Sequence, residues 1–430
     1  MSLLELLLDD ILITILLYLD YKLILSISKL SSKLLYFCQR NLDNILRQKL
    51  SKIISLITRD CNRQQLINLY QSLSYCKNIS AGNYTSLILT NTGQVYTFGS
   101  NFYGKLGQGD IAGINLPTLI PNLSQVIQIS SRYDHSLALI DNGQVYSFGT
   151  NEFGQLGLGD NHTRITPILI PELTHIVQIT TGSNHSLVLD NNGQIYAFGR
   201  NNKGQLGLNN NIDKNAPSVI ENLNHIIQIS AGNEYSMVLD YNGQIYAFGY
   251  NRSGELGLGD NINKYIPKLI TKLTQIIQIV AGDGYSLVLS NIGQVYVSGN
   301  NDYRQLGLGD KISRNIFIEV PNLPRIIQIS TRLDYVSVLA TDGQIYAFGR
   351  NIFERNTFER NTFEQNTFEQ LGIDCSSIKN ITISVTIGSG HLLVLTNNGD
   401  IYVAGNNLDG QLGLGNYHRK NELTKLMSIL

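Results

Sequence analysis

The sequence contains no tryptophan, and neither glycine nor proline occurs before Gly82. All 39 glycines and all 8 prolines lie at or after that residue. Helix interiors exclude both residue types, whereas sheets joined by tight turns use them at the corners. The sequence therefore predicts a small all-α region over residues 1 to about 73, and strands joined by turns over the rest of the 430 residues.

Cysteine and charge are both scarce. The four cysteines form no C-x-x-C pair and are scattered over Cys38, Cys61, Cys76 and Cys375. This spacing excludes a disulfide framework and a thiolate metal site, and it fits a reducing interior. Charged residues make up 15% of the chain and the formal net charge is −1. That balance argues against sequence-independent binding to nucleic acid or to an anionic membrane.

The apolar N-terminus carries Glu5, Asp9 and Asp10 and has no basic leader. A secretory signal begins with positive charge, and a membrane-spanning helix tolerates few acidic residues. We therefore expect an intracellular protein, in the cytoplasm or the nucleus, with no membrane partner.

A phrase of the form G-[QD]-[VI]-Y recurs seven times, and a second glycine follows each copy six residues later. The phrase begins at Gly93, Gly143, Gly193, Gly243, Gly293, Gly343 and Gly399. The first six copies are spaced by 50 residues and the last by 56. One such unit is too small to bury its own apolar face, so a period near 50 in strand-forming residues predicts an array of small sheets.

Each unit offers four short strands. In the third unit they are Ile168–Ile170, Ile176–Thr180, Ser186–Leu189 and Gln194–Phe198, all rich in residues that suit a half-buried pleated surface. Four strands in each of seven units predict a mainly β, seven-bladed propeller over residues 74–430. Because Tyr75–Ser80 aligns with the first strand of a unit, we expect the start of the array to complete the last blade.

Short sequence signatures within the repeat distinguish the propeller families. The Trp-Asp pair of WD repeats is absent, and no Gly-Gly doublet of the kelch type occurs. The composite unit A-G-x-x-H-S-L-V-L-x-x-x-G-Q-I-Y-x-F-G-x-N-x-x-G-Q-L-G-L-G-D instead resembles the regulator of chromosome condensation repeat. That resemblance, over residues 74–430, implies an interaction platform. For a minority of the family it implies a guanine nucleotide exchange factor for a small GTPase.

Two recurring positions invite a chemical interpretation. The first starts the second strand of each unit and is occupied by Thr85, His135, His185, Tyr235, Tyr285, Tyr335 and His391. Thr and Tyr cannot replace a neutral imidazole, so we interpret it as a packing position. The second follows L-G-x-G and is occupied by Asp110, Asp160, Asp260 and Asp310. Calcium-binding β-rolls stack such turns about every nine residues, so we interpret these as turn aspartates.

No pattern in the sequence indicates an intrinsic active site. There is no phosphate-binding loop, no H-E-x-x-H, no G-x-S-x-G and no paired Cys/His ligands. We therefore predict no catalytic residue, no metal and no cofactor, and a protein that is not an enzyme in its own right.

Two units carry an arginine where others carry glycine. They read Arg132-x-Asp134 and Arg332-x-Asp334. Turns at this point should project from one face of the ring, where propellers bind partners. We therefore predict Arg132, Asp134, Arg332 and Asp334 as partner-binding residues. The alternative is a local Arg–Asp pair with no partner.

The sixth unit contains an insert. Residues 351–370 read NIFER NTFER NTFEQ NTFEQ, with phenylalanines in phase. Insertions in repeat arrays fall in loops, so we predict a protruding loop that interrupts the sixth sheet. Tandem duplication without function is the alternative.

The N-terminal segment has an acidic pair before I-L, then I-L-x-Y-L-D, then an apolar run ending in S-I-S-K. This order resembles an F-box over residues 1–40, with a helical linker over 41–73. The matching residues are Asp10, Ile11, Leu12, Ile15, Leu16, Leu19, Leu23, Ile27, Ser28 and Lys29. The usual Leu-Pro is Leu7-Leu8 here, and the customary tryptophan is absent.

The F-box resemblance implies docking on a Skp-type adaptor of a cullin ubiquitin ligase. The residues it implies for that contact are Leu8, Ile11, Leu12, Ile15, Leu16 and Leu19. The alternative is a helical cap that packs on the propeller or dimerises.

The sequence thus supports several functional hypotheses. The leading one is a substrate-recognition subunit of a cullin-type ubiquitin ligase, with the propeller binding the target. The alternatives are an exchange factor or regulator of a small GTPase, and a non-catalytic scaffold.

Overall fold

The computed structural model describes five stretches of the chain, which are residues 78–341, 344–349, 369–370, 382–396 and 399–426. The chain divides into two units, Met1–Leu73 and Ser74–Leu430, and the structural description concerns the second. The predicted all-α region, the F-box-like residues 8–29 and the insert up to residue 368 lie outside the described residues. Within the described stretches, no helix is long and apolar enough to cross a membrane.

The described residues form 28 β-strands in seven four-stranded antiparallel sheets, four consecutive strands to a blade. Blades one to three comprise Asn78–Ala81, Thr85–Leu89, Val95–Gly99 and Ile114–Leu119 (β1–β4); Val126–Arg132, His135–Ile140, Val145–Gly149 and Arg164–Leu169 (β5–β8); Ile176–Thr181, His185–Asp190, Ile195–Gly199 and Lys214–Val219 (β9–β12). Blades four and five comprise Ile226–Ala231, Tyr235–Asp240, Ile245–Gly249 and Lys264–Ile270 (β13–β16); Ile276–Ala281, Tyr285–Ser290, Val295–Gly299 and Arg314–Glu319 (β17–β20). Blades six and seven comprise Ile326–Arg332, Tyr335–Ala340, Ile345–Gly349 and Glu369–Gln370 (β21–β24); Thr382–Ile387, His391–Thr396, Ile401–Gly405 and Lys420–Lys425 (β25–β28). A single 3-10 turn, Phe102–Gly104, follows β3.

The predicted seven-bladed propeller of four-stranded blades is confirmed. All the way round the ring, the first strand of each blade contacts the first strands of both neighbouring blades. It also contacts the second strand of the preceding blade. The first strands therefore surround the central axis, and the fourth strands lie at the rim. In blade three the second strand is buried at every residue, whereas the fourth alternates between half-buried and exposed positions.

Apolar burial lies between the blades, with one cluster of buried side chains at each of the seven joints. At the joint of blades two and three, for example, Leu137 and Leu139 pack against Ile179, Val188 and Phe198. Each sheet thus buries both faces against its neighbours, which is why one repeat cannot fold alone.

The ring closes without exchange of strands, so the prediction that the start of the array completes the last blade is wrong. β1 pairs with β2 inside blade one, and β25–β28 complete blade seven by themselves. Blades seven and one meet through side chains and turns: Ser86 Oγ donates to Gln411 O at 2.8 Å, and Gly415 N donates to Asn115 O at 2.8 Å. The first strand forms its sheet with its own sequence neighbours because a short turn brings β2 beside it directly.

Blade six ends in a short strand. Only Glu369 and Gln370 pair with β23, opposite Ala347 and Tyr346, where most other blades have six or seven residues in the fourth strand. The insert therefore weakens this sheet, as the sequence predicts, without dividing it, because its last two residues form the fourth strand.

Blade five contains a compensating exchange of side chains. The third strand of most blades carries a phenylalanine that packs beneath a glycine of the preceding blade, at Phe98, Phe148, Phe198, Phe248 and Phe348. In blade five this position is Ser298, and Gly257 instead faces the ring of Phe317. Phe317 lies in the fourth strand where the four preceding blades have proline. A phenylalanine ring therefore fills the space beneath the glycine in both arrangements. It comes from the third strand in most blades and from the fourth strand in blade five.

This exchange predicts strong coupling between positions 298 and 317. We expect Ser298→Phe alone to destabilise the protein by about 1–3 kcal/mol, because two rings then compete for one space. Phe317→Pro alone should cost about 2–3 kcal/mol by leaving a cavity. The double variant restores the arrangement of the other blades and should recover most of the loss. Urea unfolding of the four proteins measures the coupling, and simple additivity would contradict the explanation.

Candidate functional site

One side of the propeller carries the turns between first and second strands and the loops between third and fourth strands; we call it the upper face. The two connections of a blade are bonded together, as where Thr150 N donates to Asp134 O at 2.8 Å. The preceding residue, Gly149, has a φ of 105°, and a Cβ there would collide with the same carbonyl. The recurring glycine is therefore required for the close approach.

Arginine changes the turns of blades two and six. β5 and β21 each extend to the arginine, and Arg132 and Arg332 pair directly with His135 and Tyr335 across a two-residue turn. The first turn residue has a φ of 49° in both blades, at Tyr133 and Leu333. The other five blades end the first strand before a glycine at the arginine position.

Arg132 extends across the ring axis instead of pointing into solvent. Its Nη1 donates to Ala231 O and to Ala281 O, each at 2.8 Å, and its Nη2 lies 3.1 Å from Asp283 Oδ2. These acceptors belong to blades four and five. The side chain is buried, so Arg132 links blade two to the opposite side of the ring.

Asp283 accepts hydrogen bonds from two other blades, two and six. Besides Arg132 it accepts from Tyr133 Oη at 3.2 Å and from Leu333 N at 2.6 Å. Burial alone would raise the pKa of its carboxyl, but the guanidinium groups of Arg132 and Arg332 hold that pKa below its usual value. Asp283 therefore carries a negative charge at the centre of the upper face.

Arg332 lies beside this carboxylate. Its Cζ is 4.7 Å from the centroid of the Tyr133 ring, and only 2% of the residue is exposed. Burial lowers the pKa of its guanidinium to about 10, which still leaves the group protonated at neutral pH.

The turns lie on one face of the ring as predicted, but their arginine side chains do not reach solvent: Arg132 binds backbone carbonyls at the ring axis, and Arg332 is enclosed. The alternative of a local Arg–Asp pair does not hold in blade two, where Arg132 pairs with Asp283 and Asp134 pairs with Lys105. The Asp134 side chain remains 29% exposed, and Asp334 is half-buried.

Sequence reasoning missed two charged residues of the site. Lys105 donates to Asp134 Oδ1 at 2.8 Å and to Asn83 O at 2.9 Å, and burial lowers its pKa. It occupies a position that is glutamine in most blades, just as Asp283 stands where the other glycine-containing turns have asparagine or serine. Comparison of the repeats for lone charged substitutions would have identified both.

The histidines are packing residues, as predicted. The Nε2 atoms of His135, His185 and His391 each lie 3.0 Å from a serine Oγ of the next blade. Burial lowers the pKa of each imidazole to about 3, so all three are neutral. Within the described part of the chain, no cluster of three or more His, Cys, Asp or Glu side chains has metal-binding geometry.

The predicted turn aspartates also have a structural role. Asp260 accepts the N–H of Ile262 at 3.0 Å, and its backbone carbonyl accepts from Asn251 Nδ2 at 2.9 Å. Asp110, Asp160 and Asp310 repeat both contacts.

Two loops of the upper face, in blades seven and one, carry large exposed apolar side chains at a position that is polar in blades two to five. Other apolar side chains of the same kind of loop, among them Ile212, Ile262 and Tyr303, are exposed elsewhere on this face. Phe102 is 68% exposed and Leu408 is 74% exposed. The corresponding positions in blades two to five are polar, at Glu152, Asn202, Arg252 and Asp302. Tyr84 and Tyr103 of blade one are also exposed, and both have left-handed backbone at φ 57° and 63°. We call Tyr84, Phe102, Tyr103 and Leu408 the apolar sector.

Solved structures share this fold. Human WBSCR16 is 20% identical, with a TM-score of 0.69, over 78% of this chain and 94% of that chain. Prp20p from Saccharomyces cerevisiae is 21% identical, with a TM-score of 0.66, over 86% of this chain and 90% of its own; that protein has binding properties toward Gsp1p and histones. A structure of Kap60 bound to yeast RCC1 (Prp20) matches at 20% identity and a TM-score of 0.67, over 83% of this chain and 86% of that chain. At such identities these similarities concern the fold alone.

Comparison with family models is more specific. The regulator of chromosome condensation (RCC1) repeat matches residues 383–411, and the RCC1-like domain matches residues 53–359. No curated protein matches the chain. Because the RCC1-like domain covers well over half of the sequence, the chain belongs to the RCC1-like domain family.

Proposed function

We propose that this chain is a non-catalytic, protein-binding propeller that regulates a small GTPase through its upper face, in the cytoplasm or the nucleus. Membership of the RCC1-like domain family supports the proposal, as does fold similarity to Prp20p, for which binding toward Gsp1p is described. These findings favour the GTPase alternative over the ubiquitin-ligase hypothesis, which depends on residues 8–29 alone.

The apolar sector is the observation that carries the proposal. Large apolar side chains at the centre of an interface contribute most of its binding energy. Phe102 and Leu408 occupy a loop position that is polar in blades two to five, so packing of the repeat does not require them. Tyr84 and Tyr103 additionally hold a left-handed backbone that costs an aromatic residue free energy. Such strain is typical of sites that are maintained for contact.

Two acidic side chains on the same face remain candidate partner-binding residues. They are Asp134, which is 29% exposed and paired with Lys105, and Asp334, which is half-buried. Arg132 and Arg332 lie in the same turns, where their backbones pair with His135 and Tyr335. A partner with basic side chains opposite these aspartates would associate faster at low salt.

The test uses the full chain and a panel of purified small GTPases loaded with a fluorescent nucleotide. We expect one GTPase to bind and to release its nucleotide faster in the presence of the chain. Phe102→Ala/Leu408→Ala should weaken that binding about tenfold or more, since each side chain removes over about 1 kcal/mol of contact. The matched control is Ile212→Ala/Ile262→Ala, which trims two equally exposed apolar side chains of other loops.

Three outcomes decide between the hypotheses. Binding without nucleotide release would make the chain a GTPase-binding regulator rather than an exchange factor. An equal loss of GTPase binding in both double variants would show that the apolar sector makes no specific contribution to the contact. Capture of a purified Skp-type adaptor by the full chain, with no GTPase bound, would replace the proposal with the ubiquitin-ligase hypothesis.

A further inference from the structure

The guanidinium of Arg332 is buried without an acceptor. Its Nε, Nη1 and Nη2 are all enclosed, and no acceptor among the described residues lies within hydrogen-bonding distance of them. A guanidinium presents five N–H donors, and burying them unpaired is costly. The cation–π contact with the Tyr133 ring, whose centroid lies 4.7 Å from Arg332 Cζ, offsets only part of that cost.

Arg132 provides an internal reference for this unusual state. The two arginines occupy equivalent positions, but both Nη atoms of Arg132 have carbonyl or carboxylate acceptors, and only its Nε lacks one. The same turn geometry therefore leaves one arginine satisfied and the other unsatisfied. The difference arises because Asp283 and the carbonyls of Ala231 and Ala281 are already committed to Arg132.

The charges at the ring centre do not balance. Arg132 and Arg332 contribute two positive charges and Asp283 contributes one negative charge, while Lys105 is paired with Asp134. The three-residue group of Arg132, Asp283 and Arg332 therefore carries a net charge of +1; the Asp134 carboxylate, which also attracts Arg332, is already paired with Lys105. A buried charge is stable only when it is paired.

We propose that the centre of the ring binds one small monovalent inorganic anion, of the halide or nitrate class, through the guanidinium of Arg332. One such ion neutralises the group and accepts the donors that no protein atom takes. The planar fork of a guanidinium suits two-point contact with an anion. The charge of +1 disfavours a doubly charged ion such as sulfate.

The burial of Arg332 also determines the source of the ion. With 2% of the residue exposed, a carboxylate on a partner's surface cannot reach the guanidinium. A small ion can enter when the turn at Tyr133 or Leu333 moves, and we therefore expect it to exchange slowly. This inference is independent of the proposed GTPase.

Bromide gives the direct test, because its anomalous scattering locates it in crystals of the full chain. We expect one bromide within about 3.5 Å of the Arg332 guanidinium, the range of an N–H hydrogen bond to a large anion. In solution, bromide or nitrate at constant ionic strength should raise the melting temperature steadily with the logarithm of its concentration above Kd, as binding to the native state alone requires. Sulfate should give no such rise.

Arg332→Met keeps the length of the side chain and removes its charge, so it should lose both the anomalous peak and the anion-dependent rise in melting temperature. Arg332→Gln serves if the first variant does not fold. Arg314→Met is the matched control, because Arg314 is a partly exposed arginine paired with Asp310, and it should retain both effects. An ordered water at the guanidinium, or a bromide peak that survives in Arg332→Met, would overturn the proposal.

Discussion

Replacing Asp283 with alanine is expected to lower the free energy of unfolding by about 3–5 kcal/mol, the range for breaking a buried ion pair. The carboxylate accepts from Arg132, Tyr133 and Leu333, which belong to blades two and six. Without it, two guanidinium groups remain enclosed with no protein counter-charge, and the cross-ring link is lost. Urea unfolding followed by far-UV circular dichroism measures the effect.

A surface ion pair of similar length provides the control. Asp310 Oδ2 lies 2.6 Å from Arg314 Nη2, but both side chains are partly exposed. Arg314→Ala removes this ion pair and leaves the turn contacts of Asp310 in place, so it should cost less than about 1 kcal/mol. If the two alanine variants lose similar stability, the ring centre contributes no more than a surface contact and the cross-ring explanation fails.

Glutamine in place of Glu255 is expected to stabilise the protein at neutral and alkaline pH. Burial raises the pKa of this carboxyl from 4.5 to about 7, and Oε1 has no hydrogen-bond partner among the described residues. The native state therefore holds a proton that the unfolded state releases at lower pH. The wild-type protein loses stability as the pH rises from about 4.5 to about 7, and the loss is complete above that range. The gain from Glu255→Gln reaches at most about 3 kcal/mol there and vanishes at acidic pH.

The repeat supplies a reciprocal control for this pH dependence. Gln155 holds the equivalent position in blade two, where its Oε1 accepts from Phe153 N at 2.9 Å as Glu255 Oε2 accepts from Ser253 N at 2.8 Å. Gln155→Glu should introduce a second loss of stability over the same pH range. Melting temperatures of the three proteins between pH 4 and pH 9 test both expectations. Parallel curves for wild type and Glu255→Gln would show that the carboxyl does not titrate as described.

The repeat made the fold predictable from sequence. The 50-residue period and the turn residues located four strands in each unit, and the structure places Ile176–Thr181 within a residue of the predicted strand. Local pairing explains this success, because each strand bonds to its neighbours in the same unit. Closure was mispredicted because the alignment of Tyr75–Ser80 with a first strand is compatible with either partner, and only the pairing of β1 with β2 decides between them.

The candidate site was only half predictable. Comparison of repeats identified Arg132 and Arg332 as departures, yet their direction was wrong. The acceptors of Arg132 lie 99, 149 and 151 residues further along the chain, and only a closed ring brings them to the axis. The sequence pattern within a single repeat does not indicate which side chains of distant repeats meet across the ring. The apolar sector escaped notice for another reason, since exposure of Phe102 and Leu408 depends on loop geometry.

Closure without strand exchange affects how the ring is made on the ribosome. Every sheet is complete once its own segment of about 50 residues has emerged, so no blade waits for a strand from the far end of the chain. Synthesis from the N-terminus can therefore add blades one after another, each burying the apolar face of the one before. Only the last joint remains open until the end, when His391 and Gln411 of blade seven reach Ser86 of blade one. Until that contact forms, one apolar face of blade one and one of blade seven stay uncovered, and exposed apolar surface of this kind makes a folding intermediate prone to aggregation.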